Sequence, residues 1–360
     1  MYTIGLNISH NCSACAIKEN EVVCAIAGER ISRIKYFFEY GDSKKAIYYL
    51  ISRLGISPES IDSIGINYGD YVPDIANKDE LGYFIDYKLE NHLIKARFFN
   101  HHLSHASSAY YSSGFDECLI MVSDARGSSE KNGEPLSQKI RAFDDSAKTE
   151  TISFYIADKK RLELVKKYFY PLSLGELYSL ITAYLGFNRH SDNFLMDFNE
   201  GKTMGLAPYG KSFFSGESLI FLSRDGFGFN EEYIDCSGKY LRLKDAFYMK
   251  FGKERKPGEK IKYGHKLAAF VVQNDLEKVC HYLIELQLYS HNMKNIAFSG
   301  GTFLNCVMNG NLKNVLQCEG FYVFPAADDS GLAVGNAYLS YLSSSRSTAF
   351  GMNSPSILST

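Results

Sequence analysis

Two histidines, His101 and His105, stand four residues apart in the run Asn100-His101-His102-Leu103-Ser104-His105-Ala106. Four residues is about one helical turn, so on a helix both imidazoles leave one face. Imidazole is the commonest protein ligand for a transition metal, and this spacing suits a metal pair. On a solvated helix the same spacing is an ordinary coincidence. Small residues follow, Ala106, Ser107, Ser108 and Ala109, so a ligand or another backbone can approach closely. Three of the nine histidines fall within these five positions, which concentrates the chain's imidazole chemistry here.

Carboxylates that could join the pair lie at strand ends. Asp124 closes the apolar run Cys118–Ser123 and enters the small turn Ala125-Arg126-Gly127-Ser128-Ser129. There it can hold a metal or orient a phosphate-bound ion, or bond its own backbone as a turn residue. Asp328 and Asp329 precede Ser330-Gly331-Leu332-Ala333. Either can cap the helix that runs through Tyr341, and one can supply a carboxylate to the His pair. Two imidazoles with one or two carboxylates and an open position suit iron, manganese or zinc.

Other motifs suit anions. Ser299-Gly300-Gly301-Thr302 follows a strand and precedes a helix through Asn305, so its glycines let backbone amides approach a nucleotide or phosphate at a helix N-terminus. Glu200 to Gly210 carries three glycines and Pro208 and reads as a shaped loop. Within it Lys202 can neutralise a phosphate or simply sit at the surface. The run Glu29-Arg30-Ile31-Ser32-Arg33-Ile34-Lys35 is either a charged solvated edge or an aid to binding an anionic substrate. Cys12-Ser13-Ala14-Cys15 has CxxC spacing, but the segment reads as a strand, where positions i and i+3 face opposite sides. Buried small residues are its simpler reading.

The elements that must position these groups come in two rounds. Tyr2–Ile8, Ala14–Lys18 and Val22–Ala27 read as strands, with a polar turn at Glu19-Asn20-Glu21. A helix over Ser43–Leu54, a strand over Ile61–Asn67 and a helix over His101–Ser112 follow. The second round opens with the buried strand Cys118–Ser123, then strands at Lys139–Phe143 and Thr151–Ala157. Helices at Leu174–Leu185 and Lys266–Tyr289 and short strands at Asn295–Phe298 and Tyr322–Phe324 complete it. Each half moves from strands to helices, an approximate structural repeat. Ser343–Thr360 reads as a Ser-rich tail or linker.

Composition narrows the function class. The chain of 360 residues can build one large domain or two lobes. A formal net charge of −2 argues against a broad basic surface, and so against nucleic acid as an electrostatically captured partner. No apolar run approaches membrane-spanning length, and no secretory signal opens the sequence. Eight cysteines without a framework fit a reducing cytoplasm.

Taken in order, these segments resemble the O-carbamoyltransferases of the NodU/CmcH family, which act in nodulation-factor and antibiotic biosynthesis. The match spans nearly all of residues 1–345. It includes Gly5–His10 with Ser13-Ala14, the run Glu29–Lys35, and His101-His102-Leu103-Ser104-His105-Ala106. It continues through Asp124, Gly201-Lys202-Thr203-Met204-Gly205-Leu206-Ala207-Pro208-Tyr209-Gly210, Ser299-Gly300-Gly301-Thr302-Phe303-Leu304-Asn305, and Asp329-Ser330-Gly331-Leu332-Ala333.

The resemblance implies an α/β, actin-like ATPase (ASKHA) fold, with two RNase H-like lobes of mixed sheets around a nucleotide cleft. Lobe I would cover residues 1–112 and lobe II residues 113–342, with 343–360 a tail or linker. It implies a mononuclear metal, iron first, with manganese or zinc as alternatives and magnesium as a companion of ATP. The ligands carried over are His101, His105, Asp124 and Asp329. Ser299, Gly300, Gly301 and Asn305 would contact the adenylate, and Lys202 would lie near that pocket. In such enzymes ATP and carbamoyl phosphate give a carbamoyl-adenylate, and a hydroxyl of a small-molecule acceptor attacks its carbonyl carbon. His10 or His102 would accept the hydroxyl proton.

Three departures stand out. Asn11 occupies a position where the family usually carries Asp, Lys35-Tyr36-Phe37 replaces a usual Lys-His-Asp, and Ala125 replaces a glycine. The YrdC-like domain that makes the carbamoyl-adenylate in the family is not within these residues, so the expectation is the transfer half-reaction, with that domain supplied in trans or by a longer chain. Two other readings compete: a tRNA threonylcarbamoyl transferase of the same fold, and a non-catalytic nucleotide-binding homologue.

Overall fold

Strand β1 (Tyr2–Asn7) is an interior strand of the first sheet in the computed structural model. The structure describes residues 1–34, 42–69, 72–136, 146–159, 161–188, 190–191, 194–195 and 198–349. The expected strand over Lys139–Phe143, and Lys35-Tyr36-Phe37, lie outside them. β2 (Ser13–Lys18) and β3 (Glu21–Ala27) complete an antiparallel meander with β1. The turn between them puts Glu19 and Asn20 at positive φ, 53° and 67°, which matches the right-handed twist of a tight hairpin. Helices α1 (Gly28–Ser32) and α2 (Asp42–Leu54) follow. β4 (Ile61–Tyr68) then pairs parallel to β1, and β5 (Asn77–Asp79), β6 (Gly82–Leu89) and β7 (His92–Asn100) extend the sheet beyond it, β7 parallel to β4. The order is β3-β2-β1-β4-β7-β6-β5.

After α3 (His101–Ser113) the plan repeats. β8 (Cys118–Ser123) starts the second sheet; β9 (Ser129–Lys131), β10 (Glu134–Pro135), β11 (Lys148–Ala157) and β12 (Leu162–Phe169) add antiparallel neighbours. Helices α4 (Leu174–Tyr184), α5 (Glu200–Leu206), α6 (Asp245–Phe251) and the long α7 (Tyr263–His291) intervene. β13 (Asn295–Ser299) then lies parallel to β8, and β14 (Gly320–Val323), reached through α8 (Cys306–Val315), lies parallel to β13. The path β12-β11-β8-β13-β14 repeats β3-β2-β1-β4-β7 in order and in strand sense. This is the RNase H-like order twice over, and the pair makes the actin-like ATPase fold.

The helices that close each round exchange places. α3 packs on β8 and β13 of the second sheet, while α9 (Leu332–Ala349) packs on β1, β2 and β4 of the first and along α3. Period-two alternation in β8 explains its continuous apolar sequence: Leu119 and Met121 enter the core with α4 and α7, whereas Cys118, Ile120 and Val122 meet α3. The approach of α9 to the first sheet is close enough to require glycine. A Cβ on Gly5 would stand 1.9 Å from the Ala333 carbonyl oxygen, and one on Gly65 2.1 Å from that of Asn336. The exchange brings the ends of β8 and β13 and the starts of α3 and α9 to one place.

Three expectations change. Glu200–Leu206 is a helix, followed by 3-10 turns over Ala207–Phe213, rather than a shaped loop. Gly201 and Gly205 face open space there, while Thr203 is buried and bonds Thr182 of α4 at 2.8 Å. Tertiary contact thus overrides the glycines' poor helix propensity. Gly301–Leu304 is a short 3-10 turn, and the helix proper starts afterwards, with Asn305 as its N-cap. α9 continues to Ala349, past the residue at which a tail was expected, and residues 350–360 lie outside the described part.

Candidate metal centre

The N-terminus of α3 is held by its own sequence. The Asn100 side chain accepts from the Leu103 N–H at 2.9 Å, and Gly114 closes the helix at φ 75°. The helix is buried from His101 to Tyr110, which its run of Ser and Ala permits. His101 and His105 leave one face, their ring centroids 4.9 Å apart. Asp124 follows β8 and is anchored by its N–H to the Thr151 carbonyl at 2.9 Å. Asp329 opens the 3-10 turn ahead of α9, and Asp328 takes the capping role by accepting from the Ser330 N–H.

One ligand atom from each of His101, His105, Asp124 and Asp329 falls within 4.8 Å of the others. His101 Nε2 is 3.5 Å from both Asp124 Oδ2 and Asp329 Oδ1; His105 Nε2 is 3.3 Å and 3.5 Å from the same atoms. These separations exceed a good hydrogen bond. His101 Nε2, His105 Nε2 and Asp124 Oδ2 are buried without a hydrogen-bond partner. Two ligands about 2.1 Å from one ion, at tetrahedral or octahedral angles, stand roughly 3–3.5 Å apart. The orphaned atoms and their spacing therefore fit a single divalent cation with mixed N/O ligation, the preference of iron, manganese and zinc.

The electrostatics agree. Burial would lower both imidazoles, but Asp329 and Asp124 outweigh it and hold them above the ordinary histidine range. Burial would raise the two carboxyls; His101 and His105 hold Asp124 low, and His10 and His101 hold Asp329 low. Two carboxylates sharing a buried site require positive charge between them.

The remaining expected residues divide. His10 reaches the centre from the β1–β2 turn: its Nε2 is 3.4 Å from Asp329 Oδ2, its side chain is 43% exposed, and its ring stacks on Phe198 at 5.7 Å. His102 does not face the open side. It is fully buried, with Nδ1 2.7 Å from Ser153 Oγ, and burial pushes it down to about 4. Ser299 is fully buried, its Oγ 2.9 Å from His105 Nδ1. Gly300 adopts φ 100°, and a Cβ there would strike the Ser123 backbone; only glycine fits this turn. Gly301 lies beside Asp124. The Asn305 side chain accepts from Met308 N–H and exchanges hydrogen bonds with Gln273 at 2.8 and 3.1 Å. Lys202 is exposed on α5, whose Met204 meets Cys306 at the start of α8. Arg30 is solvent-exposed on α1, 3.5 Å from Glu29. Cys15 is buried, and burial pushes its thiol up to about 12, which suits packing rather than redox chemistry.

Several residues not nominated for the site support it. Ser9 Oγ donates to Asp329 Oδ2 at 3.2 Å, and Asn7 Nδ2 to the Asp329 carbonyl at 2.9 Å. Asn11, at φ 58°, donates from Nδ2 to Asp328 Oδ2 at 3.2 Å. Glu150 is buried behind His102.

Comparison with known proteins follows this geometry. Residues 66–338 match the family model for the carbamoyltransferase N-terminus. An uncharacterized protein of Synechocystis sp. is 26% identical over 366 residues, covering 91% of this chain and 55% of its own length. Nodulation protein NolNO of Sinorhizobium fredii is 25% identical over 350 residues, covering 92% of this chain and 46% of its own. Among solved structures, component A of (R)-2-hydroxyglutaryl-CoA dehydratase from Acidaminococcus fermentans aligns at 12% identity and a TM-score of 0.45, covering 96% of this chain and 99% of that one. The chain spans about half the length of the curated relatives it matches. Among the described residues, no helix is long and apolar enough to cross a membrane.

Proposed function

Since the chain belongs to the family of carbamoyltransferase N-termini, we propose that it carries the transfer half of a carbamoylation, from a carbamoyl-adenylate to a hydroxyl of a small-molecule acceptor. The observation that carries this reading is the set of four ligand atoms within 4.8 Å, three of them buried and orphaned. His101, His105, Asp124 and Asp329 would hold one divalent cation, iron by resemblance, with manganese or zinc as alternatives. Such a cation supplies Lewis acidity to carbonyl or phosphate oxygens of the donor.

The chain's own residues do the rest. Gly300 and Gly301 bring backbone close to the centre, so the adenylate would lie along that turn, with Lys202 toward its phosphate side. His10 is the base. With Nε2 facing Asp329 Oδ2 at 3.4 Å, its Nδ1 takes the acceptor hydroxyl proton as the oxygen attacks the carbonyl carbon. The new C–O bond forms, the bond from carbonyl carbon to phosphate oxygen breaks, and AMP leaves. Asp329 would thereby serve two groups, helping to hold the cation and facing His10 with Oδ2. His102, buried on Ser153, has no route to the acceptor and is better read as support for α3.

The donor would come from a YrdC-like domain, in the same polypeptide or a separate one, using ATP and carbamoyl phosphate. Free thiols at all eight cysteines support a reducing, cytoplasmic setting. The test supplies carbamoyl-adenylate directly, with glycerol and monosaccharides as surrogate acceptors, and follows AMP release. Release that depends on added Fe(II) or Mn(II) and is lost in Asp124→Asn supports the reading. Equal release by both proteins, with or without metal, would rule it out.

A further inference from the structure

A helix N-terminus leaves its first N–H groups without intrahelical partners. In α3 each of the first three is satisfied from outside the helix backbone. His101 N–H donates to Ser128 Oγ at 3.0 Å, His102 N–H to Glu150 Oε1 at 3.2 Å, and Leu103 N–H to Asn100 Oδ1 at 2.9 Å. Glu150, on β11, is fully buried. Its Oε1 also accepts from Ser128 N–H at 2.9 Å, and Asn100 Nδ2 donates to both carboxylate oxygens at 3.0 and 3.1 Å. Lys167 Nζ lies 3.1 Å from Oε2. The backbone repeats the connection: Gly127 N–H donates to the Glu150 carbonyl at 2.8 Å, and Glu150 N–H to the Ser128 carbonyl at 3.0 Å.

One carboxylate thus ties together the start of α3, which carries His101 and His105, and the segment from Asp124 to Ser128. These two elements supply three of the four candidate ligands. We propose that Glu150 is a positioning residue for the metal centre: it clamps the α3 N-terminus to the Asp124 segment and so sets the separation of His101 from Asp124 before any cation arrives. This rests on the metal-centre reading above. The physical case is that a buried anion at a helix N-terminus is favoured by the helix field and by Lys167. A clamp made of charge-assisted bonds is stiffer than packing among Ser and Ala alone. Groups behind the ligands commonly alter metal affinity 10- to 100-fold when removed.

The experiment titrates the whole chain with Co(II), whose visible absorption reports coordination number and geometry, at a temperature where far-ultraviolet circular dichroism shows each variant folded. Glu150→Gln keeps volume and can still accept the His102 and Ser128 N–H groups, but its amide nitrogen opposes Asn100 and Lys167. The expected result is a Co(II) dissociation constant raised roughly 10- to 100-fold with a changed spectrum. A wild-type constant and spectrum in a folded Glu150→Gln would overturn the proposal, leaving Glu150 a stabilising residue only. Should that variant not fold, Asn100→Ser still caps Leu103 N–H but is too short to reach Glu150; weakened Co(II) binding supports the clamp, and unchanged binding overturns it. His101→Ala distinguishes the two levels. If wild type binds no Co(II) in a His101-dependent way, the metal-centre reading itself fails and the clamp with it.

Discussion

His105 Nδ1 lies 2.9 Å from Ser299 Oγ, joining the metal-facing turn of α3 to the last residue of β13. Ser299 belongs to the glycine motif expected to meet an adenylate, yet its hydroxyl is buried against an imidazole. For His105 to offer the Nε2 lone pair to a cation, Nδ1 must carry the proton, and Ser299 Oγ accepts it. Ser299→Ala frees the ring and the tautomer. Divalent-metal affinity is expected to fall about 10-fold, read by competition against a chromophoric chelator. Unchanged affinity would mean that packing alone orients His105.

The buried Glu150 gives an acid-sensitive component of stability. Burial would push its carboxyl up, but His102, Lys167 and the N–H groups of Ser128 and Asn100 bring it down to about 2 from an ordinary 4.5. At neutral pH Lys167 is the standing positive charge, because His102 is neutral there. A carboxyl depressed on folding binds fewer protons in the native state, so its contribution is full above about pH 4.5 and is lost as pH falls toward 2. The shift corresponds to about 3 kcal/mol at most. Urea unfolding of wild type and Glu150→Gln should therefore diverge most above pH 4.5 and converge in acid. Curves that stay parallel from pH 7 to 3 would remove this account.

How far the centre can be read in advance depends on where the signal sits. His101 and His105 carry theirs in local spacing; Asp124 and the pair Asp328-Asp329 stand at strand and helix boundaries as open candidates, and only the family resemblance singles out Asp124 and Asp329. Asn100 and Gly114 mark the ends of α3 in the same local way. Glu150 is invisible in sequence: it stands just before the strand read over Thr151–Ala157, and its partners Asn100, Ser128 and Lys167 are remote along the chain. The helix at Glu200–Leu206 was hidden for the opposite reason, because Gly201 and Gly205 mimic a loop while the deciding contact is Thr203 with Thr182. His102 stands apart from the His101/His105 pair in sequence as a candidate base; one position along α3 turns its ring toward Ser153.

Glycine inside a strand signals close backbone approach, but only the fold names what approaches Gly65: the Asn336 carbonyl of α9, with the Asn336 side chain donating to Leu6 O at 2.7 Å and Asn67 Oδ1 at 3.0 Å. A methyl group there must push α9 off the first sheet. Gly65→Ala is expected to cost 1–3 kcal/mol or more, the range for overpacking, here against backbone rather than a yielding side chain. Equilibrium urea unfolding measures it. Gly55→Ala, where a Cβ meets nothing within 4 Å but φ is 63°, should cost through backbone strain alone. Because the 3-10 turn that carries Asp329 leads directly into α9, Gly65→Ala should weaken divalent-metal binding while Gly55→Ala leaves it unchanged. Equal metal affinity in both would show that α9 and the centre are uncoupled.

His10 separates catalysis from assembly. It sits in a turn, half-exposed, with Asp329 Oδ2 on one side and the Phe198 ring beneath it, and contributes no ligand atom to the four-residue set. Removing it should leave the fold and the cation site in place, because Asp329 keeps Ser9 and Asn7 as partners. His10→Ala is expected to bind Co(II) with wild-type affinity and spectrum, yet to transfer the carbamoyl group from supplied carbamoyl-adenylate roughly 10²- to 10⁴-fold more slowly, the range for losing a positioned general base. The loss should be in kcat rather than in donor KM, since His10 acts on the acceptor proton. Full transfer by His10→Ala would assign the base elsewhere; lost Co(II) binding would instead make His10 part of the metal centre, held there through Asp329.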